Sequence, residues 1–207
     1  TAYHLSQDAR NGIKEFTLSP EFKRELFDFQ QTAVKIAAKN LNNDKRNGAM
    51  IGDVVGLGKT ITACAIAKIY EMTFASSTLI ICPANLQDMW KKYVAKYDLK
   101  ADIMSMARPI DVDSARYYRL IIVDESHNFR NGGKITTNEN DENPRENRYL
   151  QLMNKVIRKG VKTKVLMLSA TPVNNRFNDL KNQIALAYEG ESEKIDELLN
   201  TKSSIDE

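Results

Sequence analysis

The sequence predicts an α/β fold, a central and mostly parallel sheet with helices on both faces. Three observations predict it. Short apolar runs alternate along the chain with segments of helical period, the pattern of strands joined through helical crossovers. Runs such as Leu79-Ile80-Ile81-Cys82, Leu120-Ile121-Ile122-Val123 and Val165-Leu166-Met167-Leu168 are continuously apolar, as strands buried on both faces must be. A glycine-rich turn, Gly56-Leu57-Gly58, joins the first strand-like run to a helix that opens with Lys59-Thr60.

Taken in order, Leu26 to Leu41 carries Leu26, Phe27, Phe29, Ala33, Val34, Ile36, Ala37 and Leu41 at helical spacing. The polar turn Asn42 to Gly48 separates it from a first strand at Ala49 to Asp53. A helix over Lys59 to Met72 follows the glycine turn. The strand Thr78 to Cys82 stops at Pro83, and Asn85 reads as the cap of a helix reaching about Tyr97. Ala101 to Met106, Leu120 to Asp124 and Lys164 to Ser169 read as strands. Thr136 to Arg148 is a polar, charge-mixed insert expected to be mobile, and Glu146 to Lys159 a helix leading back to the sheet. After Asp179 the chain reads helical to about Tyr188, with a further helix over Glu191 to Leu199. There is no internal repeat.

Composition sets the frame. The 207 residues suffice for one ordinary domain with a real core, and 42% apolar with 28% charged content is that of a soluble globular protein. No apolar run approaches the roughly 20 residues that span a bilayer, and Thr1 to Gln7 has no signal-peptide pattern, so neither membrane nor secretion is expected. The missing initiator Met leads us to expect a piece of a longer chain. Cys64 and Cys82 lack metal-ligand spacing and read as small buried hydrophobes, a cytoplasmic pattern. A net charge of +3 says nothing about nucleic acid by itself.

The chemistry lies in three stretches. A triphosphate needs backbone N–H groups brought close by a glycine turn at the positive end of a helix. Gly56 and Gly58 permit that turn, Lys59 reaches the outer phosphates, and the Thr60 hydroxyl can ligate Mg²⁺. Asp53 stands where the strict phosphate-loop pattern has glycine. A chance Gly-x-Gly-Lys-Thr in this length has odds of about one in a hundred. Asp124 and Glu125 end a buried strand at its carboxyl edge, where open α/β sheets bind ligands. Mg²⁺ held partly through water by Asp124 would offset the cost of two acids there, while Glu125 orients and deprotonates an attacking water. Ser169 and Thr171 place two hydroxyls after the next strand, able to bond the acidic segment and sense the γ-phosphate; their bland reading is a capping turn. His127 could carry nucleotide state toward them. Gln30 can donate and accept at once, which suits an adenine edge, though taken alone it reads as a surface residue.

These stretches, in this order, resemble the first RecA-like lobe of superfamily 2 helicases, most closely the Swi/Snf-type DNA-dependent ATPases. Leu26-Phe27-Asp28-Phe29-Gln30-Gln31 is similar to their leucine-x-proline-tyrosine-glutamine motif, with Asp28 for proline. Asp53 to Thr60 is similar to aspartate-glutamate-x-glycine-leucine-glycine-lysine-threonine, with Val54 for glutamate. Leu79 to Leu86, ending at Trp90, resembles motif Ia, which grips the DNA backbone in the family. Asp124-Glu125-Ser126-His127 resembles a DExH box continued by Phe129-Arg130-Asn131, and Leu168 to Pro172 with Asn174-Asn175 resembles motif III. There is a further likeness to larger bacterial helicase proteins that fuse such a motor to a phospholipase D-like nuclease module, of which no nuclease residues are present.

The resemblance implies a RecA-like P-loop fold, with residues 1–25 an N-terminal extension, 26–187 the ATP-binding lobe and 188–207 a tail toward a second RecA-like lobe. It implies ATP and Mg²⁺ as cofactors and double-stranded DNA as partner, met by Pro83, Asn85, Arg108 and Asn175. Lys91, Lys92 and Lys96 read equally as a solvated face. In the family the second lobe brings arginine fingers, so the segment alone is expected to bind nucleotide weakly and hydrolyse it negligibly. Alternatives are an RNA or single-strand DExH helicase, and a nucleotide-gated binding module without translocation. A P-loop kinase lacks any lid or acceptor signal.

Overall fold

A parallel strand loses both faces to the interior only when helices close over each side. The computed structural model builds such a sheet, and it describes residues 16–43, 48–52, 56–106, 118–129, 163–170 and 183–185, with Leu152, Asn154 and Ile157. The elements in order are α1 (Pro20–Glu25), α2 (Asp28–Asn42), β1 (Gly48–Ile51), α3 (Lys59–Phe74), β2 (Thr78–Cys82), α4 (Gln87–Lys96), β3 (Ala101–Ser105), β4 (Leu120–Val123) and β5 (Lys164–Leu168). Short 3-10 turns cover Ala84–Leu86 and Ser126–Phe129.

The five strands lie in the order β1-β5-β4-β2-β3 and every pairing is parallel. Ile51 pairs with Leu168, and Val123 with both Met167 and Ile81, so four neighbouring strands end nearly level. The ladder runs one residue further into the loops: Ser169 N–H donates to the Ile51 carbonyl at 3.1 Å and Asp124 N–H to that of Ile81 at 2.8 Å. The glycine turn, the acidic segment, Ser169 and Pro83 therefore leave the sheet along one edge.

Strand residues divide by parity. Ile80, Cys82, Leu120, Ile122, Leu166 and Leu168 enter the core beneath α2, α3 and α4, while Leu79, Ile81, Ile121, Val123, Val165 and Met167 meet Met106, Tyr118, Phe129, Leu152 and Ile157. Each large side chain so buried contributes about 1.5–3 kcal/mol. That double burial is why these strands read as unbroken apolar runs. Helix α3 buries Thr62 through Ala67 without a break, and its Ala and Cys side chains let the neighbouring backbones approach. Burial pushes the Cys64 and Cys82 thiols up to about 12, so both behave as inert core residues.

The helix expected over Leu26 to Leu41 is α2, which starts two residues later at Asp28, and the separate short helix α1 precedes it. Leu26 and Phe27 are extended, and two glutamines satisfy the corner: Gln31 Nε2 donates to the carbonyls of Lys23 and Leu26, and Gln30 Oε1 accepts from Phe27 N–H. Side chains closing a backbone corner leave no trace in hydrophobic period. Ahead of it, Pro20 opens α1 and buries Phe22 against Tyr97, with ring centroids 4.4 Å apart. Leu18 and Phe22 thus add to the same core as Leu26. Glu25 accepts from Lys96 Nζ at 2.7 Å and Tyr97 hydroxyl at 2.6 Å, bonds that hold its carboxyl below the usual range.

Asn85 caps no helix. It lies inside the 3-10 turn, and α4 starts at Gln87 with Leu86 at the cap position and no side-chain cap bond. β1 ends at Ile51, two residues before the expected Asp53. Gln183, Ile184 and Ala185 are helical, as is Leu152. The insert at 136–148 and the helix at 191–199 lie outside the described residues. Among those described, no helix is long and apolar enough to cross a membrane.

Candidate functional site at the sheet edge

Of the glycine turn, Asp53, Val54 and Val55 lie outside the described residues. Gly56 and Gly58 have φ of 91° and 79°, left-handed values that side chains adopt only with strain. Gly58 is the N-cap of α3, so the first amides of that helix, which have no intrahelical acceptor, stand at its positive end. Lys59 and Thr60 are the first helical residues and both are half-buried. The Gly58 carbonyl accepts from Thr62 N–H at 3.1 Å and from its hydroxyl at 3.0 Å.

Gln30 is not the surface residue its composition suggests. It is buried, its Nε2 donates to the Leu57 carbonyl at 2.9 Å, and a Cβ placed on Gly58 would collide with its amide. The first residues of α2 and the glycine turn are thus one packed unit. An amide has two N–H groups and two acceptor positions, so one of each remains for a ligand.

Across the edge, Asp124 is buried and gripped at both oxygens. Trp90 Nε1 donates to Oδ2 at 2.9 Å and Glu125 N–H to Oδ1 at 2.9 Å. Burial raises its carboxyl above the usual range, against the two hydrogen bonds; the Glu125 charge raises it further and the Lys59 charge lowers it. Lys59 and Asp124 follow strands of the same sheet edge, with β5 between them in strand order.

Glu125 is left-handed, with φ of 48°, and its carbonyl accepts from both the backbone N–H of Asn128 at 3.0 Å and its Nδ2 at 2.9 Å. His127 Nδ1 lies 3.2 Å from Glu125 Oε2, out of line for a hydrogen bond. Ser126 Oγ donates to Gln183 Oε1 at 2.8 Å, with both residues fully buried, tying the acidic turn to the helical residues 183–185.

Ser169 is buried at the end of β5, between the two loops in strand order. Half-buried Pro83 and exposed Asn85 follow β2 on the same edge. Thr171, Arg108 and Asn175 lie outside the described residues. Lys91 pairs with Asp88 at 3.0 Å and Lys96 with Glu25 at 2.7 Å, as a solvated helix face does. Sequence reasoning missed the roles of Trp90 and Gln183. A signal for Trp90 existed: the chain's single Trp lies on the apolar side of a helix that also carries Met89, Tyr93 and Val94, and a buried indole N–H needs an acceptor.

No group of three or more His, Cys, Asp or Glu that could cage a metal occurs among the described residues. Thr60 and Asp124 are a sparse oxygen set, the kind that suits Mg²⁺ carried largely by phosphate and water. The burial that raises the Asp124 carboxyl is what a cation would offset.

Sheet order, parallel pairing and flanking helices define a RecA-like α/β lobe. Residues 29–111 match the model of the SNF2-related domain family. It is 28% identical over 194 residues to the Caenorhabditis elegans SWI/SNF-related matrix-associated actin-dependent regulator of chromatin subfamily A-like protein 1 homolog, covering 82% of this chain and 25% of that protein. It is also 28% identical over 189 residues to the ATP-dependent helicase YqhH of Bacillus subtilis (strain 168), covering 79% of this chain and 31% of that one. The chain thus spans between a quarter and a third of these relatives. In fold it matches the Sulfolobus solfataricus SWI2/SNF2 ATPase core in complex with dsDNA, with a TM-score of 0.61 at 14% identity over 94% of this chain and 43% of that one.

Proposed function

We propose that this chain is the ATP-binding motor lobe of a cytoplasmic DNA-dependent ATPase that translocates on double-stranded DNA. The observation that carries the reading is that the head of α3, with Lys59, and the turn after β4, with Asp124 and Glu125, open at the same edge of the parallel sheet.

In this reading the glycine turn is a P-loop. Amides at the start of α3 and the Lys59 ammonium bind the β- and γ-phosphates. Thr60 and, through water, Asp124 would hold Mg²⁺, which would supply neutralisation of phosphate charge. Glu125 orients the attacking water and takes its proton, helped by a backbone turn that the Asn128 bonds hold. Gln30 offers its remaining N–H and acceptor to adenine. His127, Ser169 and Thr171 relay the state of the γ-phosphate. Pro83, Asn85, Arg108 and Asn175 meet the DNA backbone, where contacts position without reading sequence. A second RecA-like lobe supplies arginine, without which turnover falls by about 10³ to 10⁵.

The test is the ATPase rate of the longer protein containing this lobe, with duplex DNA, single-stranded DNA, RNA or none. Stimulation by duplex DNA above the others is expected. Preferential stimulation by RNA or single strands points to a DExH helicase, and indifference to all three to a nucleotide-gated switch.

A further inference from the structure

Trp90 is fully buried on α4, and its indole N–H has one partner, Oδ2 of Asp124. The other carboxylate oxygen accepts from Glu125 N–H, so the group is held at both ends and cannot turn about its own axis. Core filling alone would be met by any aromatic ring. What an indole adds is a donor, delivered from a different segment 34 residues away. That segment opens directly after the 3-10 turn Ala84–Leu86 that follows β2.

Building on the ATPase reading, we infer that Trp90 is a positioning residue for Asp124: its indole N–H fixes the carboxylate in the orientation that receives Mg²⁺, and so ties α4 to the metal site. In this role Trp90 acts through Asp124, to which its indole N–H donates. The bland alternative, an aromatic plug whose N–H is satisfied by a convenient acid, predicts no effect on metal affinity once the ring volume is kept.

The experiment uses the 207-residue chain, whose only tryptophan is Trp90. Binding of ADP is measured in EDTA, and binding of Mn²⁺ to the ADP complex by the electron paramagnetic resonance of free Mn²⁺. Two variants remove the N–H: Trp90→Phe, and replacement of Trp90 by 3-benzothienylalanine, which keeps the bicyclic ring and substitutes sulfur for N–H. The second guards against failure of the smaller ring to fill the core.

Both variants are expected to weaken Mn²⁺ binding by about tenfold, the scale of one hydrogen bond to a charged group, with ADP affinity in EDTA changed less than twofold. Addition of Mn²⁺ and ADP to the wild-type chain is expected to change Trp90 fluorescence. Unchanged Mn²⁺ affinity in the benzothienyl variant would overturn the assignment and leave Trp90 as core. So would an equal loss of metal-free ADP binding, which marks collapse of the whole site. If neither this chain nor the longer protein containing it binds ADP, with or without metal, the ATPase reading fails and this inference with it.

Discussion

Ahead of α3 the chain makes its half of the site from backbone, whereas after β4 it makes the other half from side chains. The glycine turn relies on two left-handed glycines and a helix end, and its fixed points are carbonyls: that of Leu57 held by Gln30 and that of Gly58 held by Thr62. The acidic turn relies on Asp124, Ser126 and Asn128, each with a hydrogen-bond partner. A backbone half can follow a ligand's phosphates, while a side-chain half is rigid before any ligand arrives. Binding and chemistry should therefore separate between them.

The strongest way to break that division is to remove one group from each half in the longer protein, whose ATPase activity is the proposed reading. Lys59→Ala is expected to cost about 10³-fold in turnover and to weaken nucleotide binding as well. Glu125→Gln is expected to cost about 10²-fold or more in turnover with nucleotide affinity nearly intact. Equal losses of affinity in both variants, read by equilibrium binding, would show that the halves do not divide the work.

Gly58→Ala tests the backbone half alone. Left-handed φ and the collision with Gln30 are together expected to destabilise the chain by about 1–3 kcal/mol and to weaken nucleotide binding. Denaturant melts and ADP titration measure both, and an unchanged pair of values would mean that the turn is freer than its packing against Gln30 indicates.

The smallest effect belongs to a clasp outside both halves. Glu25 is held below its usual range mainly by its bonds from Lys96 and Tyr97, so it contributes stability above its unfolded pKa and loses it as pH falls through the lower folded value. Glu25→Gln is expected to lower the melting temperature slightly at neutral pH and not at all once the wild-type carboxylate is protonated. A difference that persists in acid would assign the clasp to packing instead of charge.

Much of this was legible because it is local. The unbroken runs of β2, β4 and β5 announced strands covered on both faces, and Gly-x-Gly before Lys59-Thr60 announced its own turn and helix start. What stayed hidden is paired at long range. Gln30 meets Leu57 at a separation of 27 residues and Trp90 meets Asp124 at 34. No period in the sequence relates such residues, so Gln30 reads as surface and Trp90 as the end of a motif. Asn85 failed as a cap for a nearer reason: the chain leaves Pro83 through a 3-10 turn, which carries the helix start past it.

The left-handed backbone of Glu125 has one more consequence. Glycine would adopt that conformation without the roughly 1 kcal/mol of strain that a side chain costs there. On the proposed reading, Glu125→Gly would relieve the left-handed backbone and silence the site together, while the greater freedom of glycine in the unfolded chain offsets the gain in stability. At this residue, on that reading, the backbone conformation and the side chain's task make opposite demands on the residue type.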